Sequence, residues 1–153
     1  MTTQDHDRAA PLPPASREEL IAFLNELLEA ERAGARVALE SARAAAPGPI
    51  AELMQTVQRD EARWCALLSR HLKTLAETPS PKVGAFHEKA MAIPDLKARI
   101  TFLNRGQGWV VKKLRDMLPR VDDDLLRDDL TDMLRAHESN IALANEVMER
   151  VAE

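Results

Sequence analysis

Apolar residues recur every three or four positions along four long stretches of this chain, which is the spacing of one face of an α-helix. The nine prolines lie between these stretches or at their ends. No stretch alternates apolar and polar residues in the manner of a half-buried strand. The pattern therefore predicts an all-α protein, with four long helices packed as an antiparallel four-helix bundle.

The helix boundaries follow from capping residues and prolines. The first helix is predicted to begin at Ser16, because Ser16 and Glu19 have the capping-box spacing, and to end near Ala45 before "PGP". The other long helices are predicted over 49–77, 94–119 and from the aspartates at 122–124 to near 153, with one short extra helix in the connection "KVGAFHEKAMAI". Residues 1–15 are polar and rich in proline, so we expect a disordered tail ahead of a single bundle domain, 16–153.

Each predicted long helix carries one strongly polar residue near the middle of its apolar stripe. These residues are Glu31, Glu61, Gln107 and His137. In an antiparallel bundle of similar helix lengths, mid-helix positions share one level, so the four side chains are expected to converge in the core. Two carboxylates buried together need a proton, a cation or a closed hydrogen-bond network, because burial and mutual repulsion both penalise their charge. A metal ion is the simplest partner that uses two glutamates and a histidine together.

Composition and charge narrow the functional classes. The net charge of -4, with acidic and basic residues interspersed, predicts no surface for nucleic acid. No apolar run suits a membrane span or a signal peptide, and Cys65 is the only cysteine, so we expect a cytoplasmic protein without a membrane partner or an internal disulfide. Ile21, Phe23 and Val37 lie off the main stripe of the first helix and favour a homodimer.

Two segments of the first half resemble the ferritin-like superfamily, whose members include bacterioferritins and rubrerythrins. The segment "LNELLEAERAGARVALESA" resembles the first helix of bacterioferritins and carries Glu31 at the position of a metal-binding glutamate. The segment "RDEARWCALL" resembles the Glu-x-x-His motif of the second helix. It carries Glu61 at the glutamate position and Trp64 in place of the histidine.

Two segments of the second half are similar to the remaining helices of the same superfamily. "NRGQGWVVKKLRDML" is similar to the third helix, with Gln107 where the glutamate would stand. "LTDMLRAHESNIALAN" resembles the fourth helix, with His137 at the glutamate position and Asn140 at the histidine position. The resemblance covers roughly residues 17–151 and implies a ferritin-like bundle.

The departures from the superfamily pattern argue against a two-metal ferroxidase centre, since both expected histidines and two glutamates are replaced. The residues that remain imply one Fe, Mn or Zn ion held by Glu31, Glu61 and His137, in a protein that would be an oxidoreductase if it is an enzyme. Gln107 would lie close by, Trp64 would fill the second position, and Asn140 would hydrogen-bond a water at the site. The alternative is a metal-free helical bundle, a binding or scaffold module, in which the polar cluster is structural.

Glycines beside the predicted site leave two interpretations open. Gly106 and Gly108 flank Gln107, and Gly34 follows Glu31 by one turn. Each costs a helix about 1 kcal/mol relative to alanine, so each is expected to have a local reason. They either open space beside the site or allow close packing between helices.

Overall fold

A computed structural model of the chain describes residues 12–152, and these residues form five helices and no strand. The helices are α1 (Arg17–Ala44), α2 (Pro49–Thr74), α3 (Phe86–Met91), α4 (Leu96–Met117) and α5 (Asp124–Ala152), with a 3-10 turn at Leu118–Arg120. Four of the five are long, and α3 is the short helix predicted in the connection. The all-α prediction is confirmed.

Three of the helices, α1, α4 and α5, begin where a side chain accepts a hydrogen bond from a free backbone amide. At the start of α1 the Ser16 hydroxyl accepts from the amide of Glu19 at 3.1 Å, and the Glu19 carboxylate accepts from the amide of Ser16 at 3.3 Å. α2 begins at Pro49, as predicted. Pro94 was expected to open α4, but Asp95 caps that helix by accepting from the amide of Ala98, and this prediction was wrong by two residues.

Two apolar clusters occupy the two ends of the helical core. The first cluster comes from the early part of α1, the later parts of α2 and α4, and the early part of α5; the second comes from the opposite halves of the same helices. α1 contacts α2 and α4, and α5 contacts the same two helices. Glu31, Glu61, Gln107 and His137 are all buried between the two clusters, as their places in the helical stripes predicted.

The connection between α2 and α4 is attached along α1. Asn25 accepts from the amide of Ser80 at 2.9 Å, and the carbonyl of Glu29 accepts from the amide of Gly84 at 3.2 Å. α3 follows this connection and packs against both α1 and α4. It therefore closes part of the gap between these two helices.

The exposure and the composition of the helices bear on the predicted homodimer and on the predicted lack of a membrane span. Phe23 and Val37 are buried within the chain and Ile21 is half-buried, so they do not form the exposed apolar surface on which the homodimer prediction was based. No helix among residues 12–152 is long and apolar enough to cross a membrane.

Most of the predicted tail lies outside the described residues. In the part that is described, residues 12–15 have no regular secondary structure, but two hydrogen bonds join them to Arg120. The amide of Ala15 donates to the Arg120 carbonyl at 2.8 Å, and the Arg120 side chain donates to the carbonyl of Pro13 at 3.1 Å.

Candidate metal centre

Three buried side chains meet halfway along the long helices. Glu31 comes from α1, Glu61 from α2 and His137 from α5, and each is at most 4% exposed. Each offers one ligand atom, and these three atoms all lie within 4.8 Å of one another. A buried group of this composition and spacing can hold a metal ion.

Two hydrogen bonds orient the imidazole of His137. Its Nδ1 donates to the carbonyl of Met133 at 2.9 Å, one turn earlier in α5, so this nitrogen carries a proton. Its Nε2 lies 2.7 Å from Oε1 of Glu31. A carbonyl that holds the Nδ1 proton directs the other ring nitrogen towards the ligand site, an arrangement typical of metal-binding histidines.

The charge of Glu31 determines how His137 titrates. Burial lowers the pKa of His137, but the charge of Glu31, the hydrogen bond between them and the Met133 carbonyl outweigh it, so the pKa is raised above its ordinary value of 6.5. The 2.7 Å contact between Nε2 of His137 and Oε1 of Glu31 therefore favours a protonated His137.

Glu61 has no such partner. Burial, followed by the charges of Glu31 and Asp60, raises its pKa well above the ordinary value of 4.5. Its carboxyl group lies directly over Gly34 of α1, where a Cβ atom would be 2.1 Å from Oε2. Gly34 therefore makes the space that the Glu61 carboxyl group occupies.

Three oxygens at this level are buried and receive no hydrogen bond from any described residue. They are Oε2 of Glu31, Oε2 of Glu61 and Oε1 of Gln107. The oxygens of Glu31 and Gln107 are acceptors, and so is that of Glu61 when its carboxyl group is ionised; a buried acceptor without a donor costs about 1–3 kcal/mol. The arrangement thus favours a cation or a molecule that brings hydrogen-bond donors.

A pocket of about 640 Å³ between α1 and α4 reaches the candidate centre. Glu31, Glu61 and Gln107 line it, and Phe86 of α3 forms part of its wall. Two of the three candidate ligands can therefore be reached from the pocket, whereas His137 does not line it.

A family model described as a domain of unknown function, DUF6306, matches residues 18–146. The chain belongs to this family. No match was found among curated proteins or among solved structures. The matched residues of this DUF6306 domain include every residue of the candidate centre.

Two further residues of the DUF6306 domain were predicted beside the metal. Trp64 is buried next to His137, with the ring centroids 6.5 Å apart, and its place in a second metal position stays a prediction. Asn140 donates to Asp60 at 2.9 Å instead. Its amide nitrogen is therefore engaged by α2, and the hydrogen bond from Asn140 to a water at the site stays a prediction.

The glycines of α4 and α1 have different surroundings. A Cβ atom on Gly106 would lie 2.9 Å from the Phe86 ring, so this glycine allows α3 to pack closely against α4. A Cβ atom on Gly108 would meet nothing within 4 Å. Of the three glycines considered, only Gly34 makes room for a residue of the centre.

Asp60 and Met133 are the residues of this region that sequence reasoning missed. Asp60 precedes Glu61 in α2, and its charge acts on both Glu61 and His137. The position of Met133 four residues before His137 on one helix was the available signal, since a carbonyl at that spacing lies near the imidazole.

Proposed function

We propose that this protein binds one divalent transition-metal ion through Glu31, Glu61 and His137 in the core of a ferritin-like four-helix bundle. The observation that carries the proposal is the convergence of one imidazole nitrogen and two carboxylates, all buried, within 4.8 Å. The unpartnered oxygens of Glu31 and Glu61 are what an ion would satisfy.

The helix packing supports the bundle part of the proposal. The first half of α1 shares an apolar cluster with the second halves of α2 and α4, which is the pairing expected of antiparallel neighbours. The connection between α2 and α4 is long enough to cross the bundle, as in ferritin-like folds.

The donor set determines which ions suit the site. One imidazole and two carboxylates fit Fe(II), Mn(II) or Zn(II) and leave coordination positions free. Iron or manganese would supply redox chemistry there, and zinc would act as a Lewis acid. The Met133 carbonyl keeps the His137 ring in the orientation that such a site needs.

A second candidate role, that of a metal-free binding or scaffold module, is supported by a different observation. The direct contact of 2.7 Å between His137 and Glu31 is a complete hydrogen bond without any metal ion. If that state persists, the cluster sets the register of the helices and the bundle acts as a binding or scaffold module.

The test is the metal content of purified protein after reconstitution with Fe(II), Mn(II) and Zn(II), measured by elemental mass spectrometry. We expect one equivalent per chain in the wild type and background values in Glu31→Ala and His137→Ala. His71→Ala is the matched control, because His71 also contacts a carboxylate, Asp129, at 2.7 Å but outside the centre.

Circular dichroism should show that all variants keep their helix content, and Glu31→Gln and His137→Gln serve as milder replacements. Background metal in the wild type with all three ions would refute the proposal and leave the structural role. Equal metal content in the wild type and in both site variants would refute the assignment of the ligands.

A further inference from the structure

The pocket between α1 and α4 has a rim and a floor of different chemistry. At the rim, Glu26, Lys89 and Arg105 are exposed, and Glu29 is half-buried. The rim thus carries charges of both signs, with Lys113 also 3.4 Å from Glu26, and solvent screens them, so the rim attracts neither anions nor cations strongly. Any selectivity for charge therefore has to come from the floor.

The walls of the pocket are mainly apolar and include several aromatic rings. Phe86 of α3 stacks on Phe102 of α4, with the ring centroids 4.8 Å apart and the planes 6° apart. Leu103 and Val110 are buried beside them, and Trp109 is 39% exposed at the edge. Walls of this kind suit a flat apolar body.

The floor of the pocket presents acceptors. Glu61 and Gln107 are buried and line the pocket, and each has an oxygen that receives no hydrogen bond from the described residues. Glu31 also lines the pocket, but its other oxygen is already engaged by His137. No lysine or arginine lies on the floor, since those that line the pocket are exposed at the rim.

We propose that this pocket binds a small aromatic amine, with its ring system between the apolar walls and its amino group donating to Glu61 and Gln107. A protonated amine supplies both the donors and the positive charge that the floor lacks, and charge-assisted hydrogen bonds are the stronger kind. A volume of about 640 Å³ accommodates a two-ring aromatic system on a short arm. The inference goes beyond the metal centre and does not rest on it, because the pocket and its acceptors are present without an ion.

The test compares three probes of nearly the same size and different head groups: 2-(1-naphthyl)ethylamine, 2-(1-naphthyl)ethanol and 1-naphthaleneacetate. Binding to the full chain, freed of metal with a chelator, is measured by isothermal titration calorimetry. We expect the amine to bind at least about tenfold more tightly than the alcohol, and the carboxylate to bind most weakly. Equal affinities, or a preference for the carboxylate, would overturn the proposal.

Three variants locate the amino group. Glu61→Gln removes, at nearly constant volume, the carboxyl group that a protonated amine would hold in its charged form, and it should abolish the preference for the amine over the alcohol. Gln107→Leu should weaken amine binding by about tenfold, because one hydrogen bond to the head group is lost. Glu29→Gln at the rim is the matched control for a general effect of charge, and it should retain the preference for the amine over the alcohol.

Metal binding and amine binding can fail separately. Gln107→Leu should retain the full metal content, since Gln107 is not one of the proposed ligands. Amine selectivity in a protein that takes up no metal would support this inference and refute the metal centre. One equivalent of metal per chain in a protein that does not prefer the amine would support the metal centre and refute this inference. A loss of amine selectivity in Glu29→Gln would overturn the placement of the amino group on the floor.

Discussion

Replacing Gly34 by alanine tests the packing of the candidate centre directly. The added Cβ atom would lie 2.1 Å from Oε2 of Glu61, 2.7 Å from its Cδ and 2.8 Å from its Oε1. The whole carboxyl group would therefore have to move until contacts of 2.1 Å become ordinary ones of 3.4 Å or more. Glu61 is 4% exposed, so this movement takes place inside a packed core.

Two effects of opposite sign decide how Gly34→Ala changes the free energy of unfolding. Alanine inside a helix is favoured over glycine by about 1 kcal/mol. Forcing a buried side chain away from its position costs about 1–3 kcal/mol. We expect the second effect to prevail, so that Gly34→Ala lowers the free energy of unfolding by about 1 kcal/mol.

Gly108→Ala is the matched control, because it makes the same change inside α4 where a Cβ atom meets nothing within 4 Å. Only the helix preference acts there, and we expect this variant to gain up to about 1 kcal/mol. The assay is urea denaturation of metal-free protein, followed by circular dichroism. The two alanine variants should shift the midpoint in opposite directions.

A double-mutant cycle with Glu61→Ala assigns the effect to the contact. Once the Glu61 carboxyl group is removed, Gly34→Ala should become stabilising, with a coupling of about 1–3 kcal/mol between the two sites. The clash between the added Cβ atom and Glu61 is refuted if Gly34→Ala stabilises the wild type as much as Gly108→Ala does. It is also refuted if the effect of Gly34→Ala is the same with and without Glu61.

Two further predictions follow from the raised pKa values. The folded protein binds protons at His137 and Glu61 more tightly than the unfolded chain, because the folded pKa values lie above the ordinary 6.5 and 4.5. The stability that the folded protein gains from binding these protons is therefore complete below the ordinary pKa of each group. It is lost as the pH rises through the pKa that the group has in the folded protein. The urea midpoint of metal-free protein should fall as the pH rises above the ordinary pKa of 4.5 for Glu61 and of 6.5 for His137, less steeply in His137→Gln and Glu61→Gln; an unchanged slope in both would contradict this. Burial first, and then the charge of Glu31, raises the pKa of the Cys65 thiol to about 12. Because the thiolate is the reactive form, alkylation of Cys65 by iodoacetamide at about pH 8 should be at least about a hundredfold slower in the folded protein than in urea. Equal rates would show that Cys65 is not shielded.

The features that repeat along the chain could be predicted from the sequence. Helix type, helix ends and the burial of the polar residue in each stripe depend on contacts three or four residues apart, which periodicity and capping residues report. Ser16 caps α1 as expected, and Glu31, Glu61 and His137 converge as their mid-helix positions predicted.

The features that depend on side-chain direction between helices could not be predicted. Asn140 and Asp60 are 80 positions apart, and no spacing rule shows that their side chains meet. The pocket exists because Phe86 of α3 packs on Gly106 of α4 and fills only part of the gap beside α1. Phe23 illustrates the same limit, since a position off the main stripe is still buried when a helix has neighbours on two sides.

The charge of the candidate centre is the same in its proposed metal-bound state and in its metal-free state. Glu31 and Glu61 together carry two negative charges when both are ionised. Two charges are balanced by one divalent ion beside a neutral His137. They are balanced equally by a protonated His137 together with one proton on Glu61, which are the protonation states that the raised pKa values favour. The centre is thus neutral with one ion or with two protons, and a second ion would leave it with an excess of positive charge.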